Sequence, residues 1–269
     1  MSNLLILLHA LRRLWFLRYR LWQSVLHDIR SRFTGSILGV AWIVLLPAMQ
    51  LSIYAILYVF IFRIRVPSLS QIQYVLLVFS GLVPLIGFSE SLSASISSLA
   101  SNRSLLLNTV FPAELIPLRA TLSASVPSFI AFFITTVIAI SIGTANILPI
   151  LLIPFVAVLL VMFTQGVGWI LSLVSLIARD IQHALGFITM ILFVLSPYAY
   201  TPQMVPSALK PLIYLNPLSY FVLSFQKIIC YGQIPELHLL FACSVLGISS
   251  FCIGLLIFQR SKTIFFDYA

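Results

Sequence analysis

The sequence predicts an all-α polytopic membrane protein, and three observations carry that expectation. The 269-residue chain is 61% hydrophobic and only 8% charged. No charged residue falls between Gly35 and Phe62 or between Ala120 and Ile177, whereas about 20 apolar residues suffice to cross a hydrocarbon core about 30 Å thick. Lysine and arginine are unevenly shared among the connecting segments, the bias that fixes orientation in membranes.

The elements follow in order. Residues 12–33 predict an amphipathic helix lying on the membrane. At helical spacing Leu11, Leu14, Leu17, Leu21, Val25 and Ile29 share one side, and Arg12, Arg13, Arg20, Gln23, His27, Arg30 and Ser31 the other. Trp15 and Trp22 fall near the boundary, where an amphipathic ring suits the headgroup level. Asp28 breaks the pattern and needs a partner, and Arg32 one turn later is the nearest in sequence. Residues 1–34 therefore form an interface segment, and 35–258 the membrane domain.

Six spans are expected, at about 35–62, 72–98, 119–142, 150–177, 183–200 and 237–258. The long run after Ala120 divides at Gly143-Thr144-Ala145-Asn146, with Pro149 just beyond. Span 2 carries Pro84 and a small-residue face of Ser91, Ala94, Ser95 and Ser98, suited to close helix contact. Residues 99–118 form a polar interruption. Residues 201–236 hold five prolines, and the apolar stretch Leu218–Tyr231 is too short to cross, which predicts a re-entrant or interfacial helix. A tail over 259–269 closes the chain.

With the N-terminus inside, eleven of the fifteen Lys and Arg residues lie on the cytoplasmic side; Arg63, Arg65, Lys210 and Lys227 remain outside. Both termini are then cytoplasmic and 201–236 is external. The +9 net charge follows the membrane and is no signal for nucleic acid.

Several function classes recede. There is no GxxxxGK[ST] phosphate loop. Cys230, Cys243 and Cys252 lack metal-ligand spacing, and the four histidines are scattered, so neither a metal site nor catalysis is expected. Glu90 is the single acidic residue expected inside a span, with no intramembrane Lys or His beside it in the sequence, which argues against a self-powered pump. Glu90 fits a partly hydrated side chain near a kink, or a coupling carboxylate.

Between spans 2 and 3, Asn102-Arg103-Ser104-Leu105-Leu106-Leu107-Asn108 leads to Phe111-Pro112-Ala113-Glu114-Leu115-Ile116-Pro117-Leu118. This pattern predicts a short surface helix ending at a proline-bounded corner, a rigid knob facing the cytosol.

At this point the chain resembles the permease subunits of ABC exporters of the ABC-2 type, in the branch that exports lipid-linked polysaccharides such as O-antigen and teichoic acids. The resemblance rests on Asp28 through Trp42 leading to Pro47, and on Ser80-Gly81-Leu82-Val83-Pro84 with Phe88, Ser89 and Glu90 followed by the Phe111–Leu118 corner. It continues in Arg179-Asp180-Ile181 with Leu195-Ser196-Pro197, and in Leu215-Asn216-Pro217-Leu218 with Lys262 and Phe266-Asp267 in the tail. Ala113 stands where that family often carries a basic residue.

The resemblance implies a homodimer in a bacterial inner membrane, docked on two copies of a separate ATPase that carries the ATP and Mg. It implies ATPase coupling through Asn102, Arg103, Phe111, Pro112 and Glu114, and a lipid-linked glycan as substrate. Aromatic rings stack on sugar faces without trapping charge, which makes Trp42, Tyr54, Tyr58, Tyr198, Tyr200, Tyr214 and Tyr220 the candidates for a sugar path. The same rings also suit a belt at headgroup level. Arg30 and Arg32 are the candidates for a lipid diphosphate headgroup, and positive-inside anchoring accounts for them equally. Exporters of drugs or small lipids in the same superfamily, and a non-transporting membrane scaffold, are the competing readings.

Overall fold

The computed structural model describes residues 3–61, 69–102, 112–178 and 180–261, and every regular element among them is helical. Two helices lead the chain, α1 (Asn3–Phe16) and α2 (Arg18–Ser31). The sequence pattern predicts one helix over 12–33; the chain instead breaks at Leu17. Their partners explain the break, because α1 packs on the last described helix and α2 on the third long one. Leu14, Leu17 and Leu21 turn toward a shared apolar cluster and Val25 is buried, as the periodicity requires.

Five long apolar segments follow. They are α3 (Trp42–Ile56), with a 3-10 turn before it and a π-helical turn, Leu57–Ile61, after it, then α4 (Gln71–Ser101) and α5 (Leu115–Ile142). A single turn at Ile147–Ile150 leads into α6 (Ile153–Ile177), and α10 (Leu237–Arg260) ends the described chain. Each of these segments is long and apolar enough to cross a membrane. The N-terminus of α4 is closed by a capping box: Gln73 N–H donates to Ser70 Oγ at 3.3 Å, and Ser70 N–H donates to Gln73 Oε1 at 3.0 Å.

Lipid tails are as apolar as leucine, so the helices are held by close packing and by internal polar bonds. The tightest crossing joins α6 and α10. A Cβ on Gly166 would lie 2.1 Å from the Ser250 carbonyl oxygen, and one on Gly254 would lie 2.2 Å from that of Gly166. The Ser250 hydroxyl donates to the Phe163 carbonyl at 3.0 Å across the same contact. The core is phenylalanine-rich: Phe88 of α4 stacks on Phe163 of α6 at 5.8 Å, and Phe132 of α5 on Phe225, from the later Pro217–Ile229 helix, at 4.2 Å.

The predicted fifth span is shorter than the sequence suggests. Its helix, α7 (Ile181–Leu195), has 15 residues, about 22 Å of rise. Ser196 and Pro197 stop it, and the chain continues without helix through Ala199. Next come α8 (Lys210–Leu215) and α9 (Pro217–Ile229). The segment Ser207–Leu215 meets α9 at a bend of 97°. The short helix predicted over 218–231 is thus present as α9, a buried helix wedged against α4, α6 and α10.

Arg260 bonds Asn3, so both ends of the described chain share one face of the bundle, here the terminal face. Gln71, the Thr144–Asn146 turn and Gly232 lie at the opposite, far face, where Asn146 Nδ2 donates to the Gly232 carbonyl.

Candidate functional site

At the terminal face the first turn of α5 is tied to α1, α2 and α4. Arg119 Nε lies 2.9 Å from Asp28 Oδ2, and Arg119 Nη2 donates to Asn102 Oδ1 at 3.2 Å. Asn102 in turn donates to the Ser98 carbonyl at the end of α4. Asp28 is thus answered from another helix, and not by Arg32 as helical spacing suggests. Arg13 of α1 lies 3.4 Å from the Glu114 carboxylate, whose side chain is only 2% exposed. Trp169, fully buried on α6, donates its indole N–H to the Glu114 carbonyl at 3.0 Å. Leu115, Ile116 and Leu118 are buried beside it in a cluster with Ala10, Leu255 and Phe258. The Pro112–Leu118 corner is therefore not a free knob, because α1 covers it. Arg103 and Phe111 lie outside the described residues. The junction thus ties α1 and α2 to α5 by two ion pairs, and α5 to the end of α4 by the charge-assisted hydrogen bond from Arg119 to Asn102.

Toward the far face, the interrupted end of α7 carries backbone groups that need partners away from water. Side chains supply them. Gln226 Nε2 lies 2.8 Å from the Pro197 carbonyl and 3.3 Å from those of Tyr198 and Leu77. Asn216 Nδ2 donates to the Leu192 carbonyl at 2.9 Å and to Ser196 Oγ at 2.8 Å. The Tyr74 hydroxyl donates to the Ala199 carbonyl at 2.9 Å. A Cβ on Gly81 would lie 2.8 Å from Tyr198 Cα, so glycine there lets the broken segment approach α4.

These bonds gather aromatic rings at one place. Tyr54 stacks on Tyr58 at 6.5 Å, Tyr58 meets Tyr74 edge-on at 5.8 Å, and Tyr198 packs on the same cluster. Tyr200 turns back to the Leu195 carbonyl, while Tyr214 and Tyr220 pair at 6.4 Å further along the chain. Trp42 does not join them. It begins α3, twelve residues before Tyr54, and donates to Ser36 Oγ, which puts it about 18 Å of helix away. Of the rings expected from the sequence to form one path, Trp42 therefore stands apart. Tyr74 escapes a reading of the sequence because a single tyrosine early in an apolar span gives no signal until its neighbours are known.

Two larger cavities flank these features. A cavity of 580 Å³ at the far face is lined by Thr201, Gln203, Tyr214, Gln226, Tyr231 and Glu236 among others, with Lys227 and Glu236 paired at 2.9 Å. Burial raises the Tyr231 phenol above its usual range, with Cys230 adding to the shift, so it stays a neutral donor there. A second cavity, of 640 Å³, opens between α3, α4 and α5 beside the end of α2. Arg32 and Glu90 both line it, and Arg30 does not. Among the described residues no group of three His, Cys, Asp or Glu side chains could hold a metal ion.

The sequence matches those of known proteins. Residues 19–230 match the family described as ABC-2 type transporter. The chain is 25% identical over 244 residues to the "O-antigen export system permease protein RfbA" of Myxococcus xanthus, an alignment covering 90% of this chain and 92% of that protein. Two proteins of the same name from Klebsiella pneumoniae are 27% identical over 244 residues and 28% identical over 239, each covering 87% of this chain and 89% of its own length. With the family matched from α2 to the end of α9, over the Asp28–Arg119 pair and the broken helix, this chain belongs to the ABC-2 type transporters.

Proposed function

We propose that this chain is the membrane-spanning subunit of an ATP-driven exporter that moves a lipid-linked polysaccharide from the cytoplasmic side of a bacterial inner membrane. The observation that carries the reading is likeness along nearly the whole chain to permeases named for O-antigen export. The geometry supports it. A large part of α3 and the Phe187, Met190 and Val194 side of α7 is uncovered in the single chain, which leaves room there for a second copy in the homodimer of this reading.

In this reading the terminal face is cytoplasmic and receives two copies of a separate ATPase, which binds ATP and Mg. Closure of the ATPases presses on α1, α2 and the 99–118 segment. The Arg13–Glu114 and Asp28–Arg119 pairs carry that motion into α5, and Arg119 passes it to Asn102 at the end of α4. At the far face, Tyr54 and Tyr198, both half-buried, offer ring faces on which successive sugars stack and slide, while Tyr58, expected from the sequence to join them, is buried behind them in the core.

Deleting the gene in its host tests the reading. Loss of surface glycan, with lipid-linked polymer held on the cytoplasmic leaflet and restored by the intact gene, is the expected result. Unchanged surface glycan overturns it, and altered sensitivity to small amphiphiles alone would favour the drug-exporter alternative.

A further inference from the structure

The 580 Å³ cavity at the far face carries charge of both signs. Three of its lining residues are titratable: Lys227 of α9, Glu236 just before α10, and His238 in the first turn of α10. Lys227 Nζ and Glu236 Oε1 stand 2.9 Å apart, and both side chains are partly exposed. The same ammonium lies 6.0 Å from the centre of the Tyr231 ring. The other polar lining is neutral: Thr201, Gln203, Tyr214, Gln226, Tyr231 and Gln233. Of these, Gln226 is committed to the Pro197 carbonyl. Pro202, Leu223 and Leu239 make up the apolar remainder.

The cavity sits at a membrane boundary. Asn146 bonds the Gly232 carbonyl, which holds Tyr231 and Gln233 at the level of the turn between α5 and α6. From there α10 presents Leu237, Phe241, Val245 and Ile248 at helical spacing, all exposed. His238 and Leu239 belong to the cavity, so its wall adjoins the start of that apolar face.

These features discriminate among ligands. A bare anion meets the Glu236 carboxylate, and a bare ammonium meets Lys227. A molecule with both signs answers each charge with its opposite, and the amides and hydroxyls around the pair can donate to phosphate oxygens. A primary ammonium brings three donors for the carboxylate, whereas a quaternary one brings none. A neutral glycan uses the amides and hydroxyls but leaves the two charges only to each other. Acyl chains suit the α10 face, which a free zwitterion leaves uncovered.

We propose that this cavity binds the headgroup of an amine-bearing zwitterionic phospholipid of the far-face leaflet, with the phosphate on Lys227, the primary ammonium on Glu236 beside the Tyr231 ring, and the acyl chains along α10. The assignment does not rest on the export reading. Its consequence falls on the broken helix. Lys227 follows Gln226 in α9, so the bound headgroup braces the turn that holds the end of α7.

The test uses the full chain in phosphatidylcholine nanodiscs doped with phosphatidylethanolamine or phosphatidylglycerol, and retained lipid is counted by native mass spectrometry. The intact chain is expected to retain phosphatidylethanolamine about 10-fold over either other lipid, the worth of a single charge-assisted hydrogen bond. Glu236→Gln should abolish that preference per folded molecule, Glu236→Asp should recover part of it, and Lys227→Met should lower phosphatidylethanolamine retention about 10-fold. An independent measurement needs no variant: phosphatidylethanolamine with a photoreactive acyl chain should cross-link the intact chain chiefly within 237–248. Equal retention of the three lipids, phosphatidylglycerol held as well as phosphatidylethanolamine, or an unchanged preference in Glu236→Gln overturns the proposal. So does cross-linking spread evenly over the exposed helices. Displacement of the lipid by soluble glycerophosphoethanolamine at equal concentration would make this a site for a free zwitterion, and displacement by a neutral oligosaccharide would make it a sugar site; either result also overturns the proposal.

Discussion

The side-chain amide of Gln226 sits 2.8 Å from the carbonyl oxygen of Pro197, a residue twenty-nine positions earlier. That bond lets a helix stop short inside an apolar bundle. Where α7 ends, the chain has lost its internal donors, and one amide group serves the carbonyls of Pro197, Tyr198 and Leu77. Replacement tests the account through its sign. Gln226→Leu keeps the volume and removes the donors, costing about 1–3 kcal/mol. Gln226→Glu should be worse, since it sets an acceptor against three acceptors. Thermal unfolding in detergent should rank the intact chain above the Leu variant and the Leu variant above the Glu variant. A Glu variant as stable as the intact chain refutes this use of the amide.

The joint at the terminal face calls for charge exchange. Asp28→Arg and Arg119→Asp should each reduce ATPase stimulation by the permease several-fold, while the double swap restores most of it. Glu114→Lys sets a second cation against Arg13 in a buried position and should cost about 3–5 kcal/mol, seen as reduced assembly, with partial recovery when Arg13→Glu is added. Equal ATPase stimulation in the single and double Asp28/Arg119 variants shows that the pair transmits nothing.

The α6–α10 crossing makes a steric prediction with an internal control. Gly166→Ala places a methyl 2.1 Å from the Ser250 carbonyl oxygen, so the helices must separate. The variant should lose a large share of folded protein by size-exclusion chromatography. A methyl on Gly186 of α7 would meet nothing within 4 Å, and Gly186→Ala should be neutral or stabilising by up to about 1 kcal/mol. If both alanines behave alike, close packing is not what holds α6 to α10.

The aromatic cluster is tested by replacing Tyr54, Tyr58, Tyr198 and Tyr200 together. Four alanines should stall export per assembled complex about 10-fold or more, the worth of one or two lost ring contacts. Four phenylalanines should be milder, because stacking survives. A membrane belt predicts instead that the alanine set lowers protein abundance and leaves normalised export unchanged.

Much of this architecture is legible in one dimension. The charge-free runs from Gly35 and from Ala120 predict spans because lipid demands about 20 apolar residues, whatever they pack against. The leucine stripe through Leu14, Leu17 and Leu21 predicts an interface helix, though not its break at Leu17, because a single turn period sorts the two faces. The proline-rich segment with its short apolar stretch predicts α9 by length alone. Each of these is a local property, and local spacing carries it.

The polar partners are another matter. Asp28 could be assigned to Arg32 by spacing, yet it meets Arg119, ninety-one residues away. Glu114 reads as part of an exposed corner, and α1 folds over it. The fifth span reads as an ordinary crossing until Asn216 and Gln226 are seen holding its interrupted end. Tyr74 joins the rings only through packing, and Trp42 leaves them for the same reason. Hydropathy is a sum over neighbours in sequence, so the chain alone determined which segments enter lipid and roughly where they turn. Which buried charge or carbonyl finds which partner depends on distances of a few ångströms between segments far apart in the chain, and only the tertiary structure decided that.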